Sequence, residues 1–147
     1  MALGPLFIGS DHAGFVLKNV ITEQLKAQGY NIEDLGTHSA ESCAYPEAAH
    51  ELCKAVLVNG GFGILVCGTG IGMSIAANRY KGIRAAVCTH EFHAEAARLH
   101  NNANIICLGE RVTAPGLAQE LVKIFLETTY EGGRHDQRII LIEKPLE

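Results

Sequence analysis

Apolar residues come in short clusters whose spacing alternates between two periods. Leu6 to Gly9 is a compact apolar run closed by glycine, and Phe15, Leu17, Val20, Ile21 and Leu25 then recur at helical spacing as far as Gly29. The pattern predicts a strand followed by a helix. Tyr30 to Leu35 alternates as a second strand, Pro46 opens a helix to about Val58, and Gly63 to Cys67 reads as a third strand. A helix over about Ile71 to Arg79, a strand over Arg84 to Cys88, a helix over Glu91 to His100 and a strand over Asn104 to Leu108 follow. The series closes with a helix that has Thr113 as its cap and Pro115 just inside, where Leu117, Leu121, Ile124 and Phe125 form one apolar face.

Five βα units in strict alternation predict an α/β fold: one parallel sheet, helices on both faces, right-handed crossovers, and functional loops at the carboxyl ends of the strands. Strand order is not legible in such a pattern. After Glu131 the pair Gly132 and Gly133 breaks the chain, and Arg134 to Ile142, with apolar Ile139, Ile140 and Ile142, predicts an extra C-terminal helix that packs on its own domain or on a neighbour. The 147 residues hold no internal repeat, low-complexity tract or linker beyond that hinge, so a single domain over residues 1–147 is expected.

Composition excludes some partners. Apolar residues make up 48% of the chain and the formal net charge is -4, which leaves no basic footprint for nucleic acid and no polybasic surface for a membrane. The N-terminal apolar run is interrupted by Gly4, Pro5 and Gly9 and lacks a charged lead, so it reads neither as a signal peptide nor as a spanning helix, and a cytoplasmic location is expected. The five cysteines, at 43, 53, 67, 88 and 107, are odd in number and widely spaced and contain no CxxC, which argues against a disulfide frame and a zinc site. Cys53, Cys88 and Cys107 lie in apolar runs and are expected to be buried as small hydrophobes.

The segment with the most chemical content is Leu65 to Met73, LVCGTGIGM. A cysteine ends a buried strand, and Gly68, Gly70 and Gly72 then free a row of backbone amides to close on an anion, a setting for a thiol nucleophile or base beside a cradle for an oxyanion. Nucleotide motifs fail here. Gly9 to Gly14 has Phe15 and Val16 where a P-loop needs Lys and Ser or Thr, and the GxGxG of the glycine loop follows the third strand and continues with Met73. Three loops are expected to cluster at strand carboxyl ends: Ser10-Asp11-His12, Cys67 to Gly72, and the segment ending in His100-Asn101. For Asp11 the plain alternative is a helix cap, and for His12 a solvated ring. His12 and His100 are both candidate partners for the thiol. His90, His93 and His100 lie in one predicted helix, but the sequence reads HEFH rather than HExxH, so no metal is expected. Arg134 and Arg138 stand one helical turn apart, either as a phosphate clamp or as a solvated face salted by Glu131 and Asp136.

Taken together, GSDHAGF from Gly9, Tyr45-Pro46, CGTGIGMSIAAN from Cys67, GIRAA from Gly82, HNNAN from His100 and EGGRHDQR from Glu131 closely resemble the ribose 5-phosphate isomerase B family, over nearly the whole chain. The resemblance implies a three-layer α/β/α sandwich with a five-stranded parallel sheet, Rossmann- or flavodoxin-like. It also implies a cofactor-free, metal-free interconversion of ribose 5-phosphate and ribulose 5-phosphate through an enediolate, in the pentose phosphate pathway. By the same resemblance the protein is a homodimer or tetramer whose active sites are shared between subunits. Cys67 is then the general base, His100 the proton donor for ring opening with help from Asp11, and the amides of Gly68, Thr69, Gly70, Ile71 and Gly72 hold the enediolate. His12, Arg111, Arg134 and Arg138 fall to the phosphate, and Tyr45, Thr69 and Asn101 to sugar hydroxyls. Some members carry a carboxylate base where Met73 stands here, which leaves Cys67 the base candidate of this loop. Ala44 replaces an Asp common before Tyr45-Pro46, which touches the support of the Tyr45 loop. Allose 6-phosphate stays open as a substrate, and a non-catalytic phospholigand-binding module of flavodoxin-like build is the alternative from another class.

Overall fold

The computed structural model describes residues 4–146, and in it the five expected strands join one parallel sheet. These are β1 (Leu6–Ser10), β2 (Ile32–Asp34), β3 (Phe62–Cys67), β4 (Ala85–Val87) and β5 (Ile105–Gly109), in the order β2-β1-β3-β5-β4. Between and after them run α1 (Phe15–Ala27), α2 (Tyr45–Asn59), α3 (Ile71–Ala77), α4 (Glu91–Leu99), α5 (Pro115–Glu127) and the extra C-terminal α6 (Asp136–Glu143).

This order fixes which face each helix covers. The steps from β1 to β2 and from β4 to β5 cross the sheet in one direction, and those from β2 to β3 and β3 to β4 cross in the other. Right-handed crossovers therefore put α1 and α4 on one face and α2 and α3 on the opposite one. Alternation along the strands feeds both layers: Ile8, Ile64, Val66, Ile106 and Leu108 pack with α1, α4 and α5, whereas Phe7, Leu65, Cys67, Ile105 and Cys107 pack with α2 and α3. In α5 the expected apolar face is in place, with Leu121 and Phe125 fully buried and Leu117 and Ile124 packed against that core.

Two local expectations need correction. The cap of α5 is Ala114, not Thr113, because Pro115 occupies the first helical position and holds the residue before it extended, while Thr113 is buried with its amide on the Gly109 carbonyl at 2.9 Å. His90 and His100 are not within α4 but flank it as its N- and C-terminal caps, so they lie at opposite ends of the helix.

Candidate active site

The carboxyl ends of β1 and β3 sit side by side, and the chain leaves them toward opposite faces, which opens a crevice between the two loops. Cys67 ends β3 there, 5% exposed. The amide of Gly70 donates to its sulfur at 3.0 Å, so a positive dipole end points at the thiol. That geometry requires Gly70 at φ +81°, a region costly for residues with a side chain. The loop is bound to the turn after β5: the Glu110 amide donates to the Cys67 carbonyl at 2.9 Å and the Arg111 amide to the Gly68 carbonyl at 3.0 Å. Gly109 permits this approach, since a Cβ there would lie 2.6 Å from Thr69 backbone. Arg111 is thereby held beside the glycine loop, where Thr69 and Ile71 are exposed.

The other buried thiols differ. Burial pushes Cys53 and Cys88 up to about 12, and burial together with the neighbouring thiols pushes Cys107 up as well. All five cysteines are free, and these three are inert core residues, as their apolar surroundings led one to expect.

Across the crevice, at the carboxyl end of β1, the Asp11 carboxylate accepts from the Gly14 amide at 3.1 Å, so Asp11 does cap the short turn His12–Gly14. The Nδ1 of His12 accepts from the Cys43 amide at 3.1 Å, which puts the ring proton on Nε2 and makes that nitrogen a donor. Tyr45 opens α2, and its ring lies against Gly72, where a Cβ would come 2.7 Å from Cζ. Asp11, His12, Tyr45, Cys67, Gly68 to Gly72 and Arg111 thus share one edge of the sheet.

His100 and Asn101 do not join them, which corrects the expected three-loop cluster. α4 runs back from the carboxyl end of β4 to the amino end of β5, so His100 arrives at the opposite edge, about 17 Å away along a five-residue strand. α5 runs the same way and delivers Glu131, Arg134, His135 and Arg138 to that amino edge. A second cluster forms there. The rings of His100 and His135 stack at 4.7 Å and 25°, and one Glu131 carboxylate oxygen lies 4.0 Å from His100 Nε2 and 3.6 Å from His135 Nε2. The Glu131 amide donates to the Leu99 carbonyl at 3.0 Å, which anchors it to the end of α4. His135 is buried, and its Nε2 has the Glu131 carboxylate as its nearest charge but no hydrogen bond.

The donor atoms of His100, Glu131 and His135 all lie within 4.8 Å of one another, close enough to consider a metal ion. Imidazoles bind metals along a lone pair in the ring plane, and two nearly parallel stacked rings cannot both aim at one ion. The arrangement suits two imidazoles sharing a carboxylate. His135 was not singled out from the sequence, and Glu131 only as an acid salting the Arg134–Arg138 face; the one available signal was His135's place between the two arginines of EGGRHDQR. Arg134 and Arg138 are exposed, and the acids that might have neutralised them are engaged elsewhere: Glu131 with the histidines, and Asp136 accepting from the Tyr130 hydroxyl at 2.7 Å. A cleft of about 610 Å³ opens at this edge, lined by Arg79, Tyr80, Arg84, Asn101, Ile142 and Glu143 among others.

Comparison with known proteins adds a family. A model described as Ribose/Galactose Isomerase matches residues 6–142. Ribose-5-phosphate isomerase B of Escherichia coli K12 is 46% identical over 134 residues, 89% of each chain. Among solved structures, ribose 5-phosphate isomerase B of Thermotoga maritima superposes with a TM-score of 0.93 at 49% identity, covering 95% of this chain and 97% of that one. The Mycoplasma genitalium enzyme with bound ribulose-5-phosphate gives a TM-score of 0.91 at 40% identity, covering 95% and 93%.

Proposed function

Because the chain belongs to the ribose/galactose isomerase family, and ribose-5-phosphate isomerases B match it along most of its length, we propose that the Cys67 crevice carries out their aldose–ketose chemistry. The protein is a ribose-5-phosphate isomerase, interconverting ribose 5-phosphate and ribulose 5-phosphate.

In this reading the Cys67 thiolate takes the C2 proton of the open-chain aldose, the electron pair forms the enediolate, and the resulting thiol returns a proton to C1 as a proton passes from O2 to O1. The observation that carries the assignment is the Gly70 amide on the Cys67 sulfur at 3.0 Å, within a loop where the Ile71 amide donates to Thr69 Oγ1 at 3.2 Å and the amides of Gly68, Thr69 and Gly72 are left to meet an oxyanion. His12, as a Nε2 donor, and Arg111 bind phosphate from the same edge, and Tyr45 and Thr69 meet sugar hydroxyls. All of this chemistry draws on groups of the protein itself.

The remaining groups stand at the far edge, so a complete site needs two copies. A two-fold dimer that sets the Cys67 edge of one subunit against the His100 edge of the other makes two identical sites, whether alone or within a tetramer. His100 of the partner subunit then protonates the ring oxygen as the furanose opens, with Asp11 assisting, and Asn101, Arg134 and Arg138 of the partner subunit bind hydroxyls and phosphate. Exposed apolar side chains at both edges support this pairing: Ile71 and Ile75 beside the glycine loop, and Ile140, Leu141 and Ile142 on α6. The reading also places the protein in the cytoplasm, where its five thiols stay reduced. None of the helices among the described residues is long and apolar enough to cross a membrane.

The test is isomerisation of ribose 5-phosphate in deuterated water. Wild type is expected to form ketose with solvent deuterium at the transferred position, whereas Cys67→Ala binds the phosphosugar without converting it. Turnover by Cys67→Ala near the wild-type rate would remove the thiol from the base role.

A further inference from the structure

We propose that Arg84 is a positioning residue for this reaction, holding the His100–Asn101 loop and the arginine-bearing helix α6 in one arrangement, with Glu143 as its counterpart on α6. The proposal rests on the reading of the amino edge as half of the active site.

α6 has no fully buried side chain and only Ile139 of its apolar residues is half-buried, so apolar packing within its own chain does little to hold it in place. Polar ties at its two ends hold it. At its first residue Asp136 accepts from Tyr130, and at its last residue Glu143 accepts from Arg84 Nη1 at 2.6 Å through Oε1 and from the Gly82 amide at 2.9 Å through Oε2. Arg84 and Glu143 are only 18% and 24% exposed, so this charge-assisted pair is shielded in a way that surface pairs are not.

The same guanidinium reaches the other segment. Arg84 Nε donates to the Asn102 carbonyl at 2.9 Å, and the Arg84 amide donates to Asn104 Oδ1 at 2.8 Å, while Asn104 Nδ2 donates to the Gly82 carbonyl at 2.8 Å. From the opposite side Arg98 Nη1 donates to Asn102 Oδ1 at 3.1 Å and to the Ala103 carbonyl at 2.6 Å. Asn102, thus gripped, adopts φ +46°, a conformation that asparagine tolerates better than most residues. The HNNAN and GIRAA segments therefore form one hydrogen-bonded unit, and Glu143 joins α6 to it.

Arg84 acts through two diverging donors of a planar fork, which a lysine ammonium does not reproduce. Its effect is to fix the distance between the ring-opening histidine and the phosphate-binding arginines. A sugar phosphate spans that distance, and misplacing either end by about 1 Å carries a large rate penalty.

The experiment compares Glu143→Gln and Arg84→Lys with wild type in kcat and KM for ribose 5-phosphate, and in competitive inhibition by inorganic phosphate. Glu143→Gln, which loosens α6 alone, is expected to raise KM and the phosphate inhibition constant about tenfold with a much smaller change in kcat. Arg84→Lys, which also frees the Asn102 loop, is expected to lower kcat as well. Amide hydrogen exchange should accelerate in α6 of Glu143→Gln while the sheet stays protected. Unchanged phosphate inhibition and KM in a folded Glu143→Gln overturn the proposal even if Arg84→Lys fails to fold, and so does a fall in kcat with no change in phosphate inhibition. If wild type binds phosphate but does not isomerise the sugar, the assigned activity fails, and phosphate affinity measured by calorimetry together with α6 exchange then decides whether Arg84 and Glu143 hold α6 in place.

Discussion

Cys67 differs from the core thiols in its surroundings rather than in its burial. Cys53, Cys88 and Cys107 are enclosed by apolar side chains that push their thiols upward, the first two to about 12, whereas Cys67 receives an amide hydrogen bond at the mouth of a crevice. A thiol titrating near 12 is about 10⁻⁴ thiolate at pH 8, too little for alkylation to proceed at a useful rate. Iodoacetamide at pH 8, applied to a Cys43→Ser background because Cys43 is half-buried, is expected to inactivate the protein with the label on Cys67. Ribose 5-phosphate should slow the reaction, and peptide mass spectrometry should find Cys53, Cys88 and Cys107 unlabelled until the chain is unfolded. Equal labelling of all four would remove the distinction drawn for Cys67. The place of Cys67 was legible because a strand ending in cysteine and running into glycines is a local signal. Its hydrogen bond to Gly70 spans only three residues. Glu131 and His135 gave no such signal, since their meaning depends on a ring brought in from the end of another helix.

The helices show how far local rules reach. α2 starts at Tyr45 with Ala44 as its cap, extended at φ −84° and ψ 118°, and no side chain accepts from the first-turn amides. This gives the departure at Ala44 a physical meaning: the position has cap geometry and lacks a cap. Ala44→Asp is expected to add about 1 kcal/mol of stability and to raise Tm by about 3 °C, read by calorimetry at neutral pH where the carboxylate is ionised. A variant no more stable than wild type would show that the first-turn amides are already satisfied. α6 represents the other limit. Its pattern of isoleucines announced a helix, but Ile140 and Ile142 are exposed and Ile139 is only half-buried, and its position comes from Glu143 and Asp136 rather than from an apolar face on its own sheet. Of the two homes the sequence allowed, its own domain or a neighbour, the polar ties join it to the first, and its apolar side chains stay at the surface.

A division of the site between two edges has a consequence that can be measured by mixing. On the proposed two-fold dimer, Cys67→Ala and His100→Asn each spoil both sites of their own dimer, whereas a mixed dimer pairs an intact Cys67 edge with an intact His100 edge at one of its two sites. Co-refolding equal amounts of the two inactive variants is expected to restore about a quarter of wild-type activity, from statistical pairing of two-fold dimers. No recovery, with mixed dimers shown by native mass spectrometry, would place both residues in one chain's site. The chain's own order settled much of this fold. Periods of two and of 3.6 are imposed by hydrogen bonds and side-chain directions between near neighbours, so the strands, the helices, the two buried faces and the Cys67 loop could be read directly. The expected three-loop cluster overlooked what the same alternation carries: a helix that follows a parallel strand ends at the amino edge, so His100 stands away from Cys67. What awaited three dimensions was the strand order and the company each residue keeps. The Arg84–Glu143 pair spans 59 residues, and the stacking of His100 on His135 joins the ends of two helices. Such contacts are selected by the packing of whole layers, which no local pattern in the chain encodes.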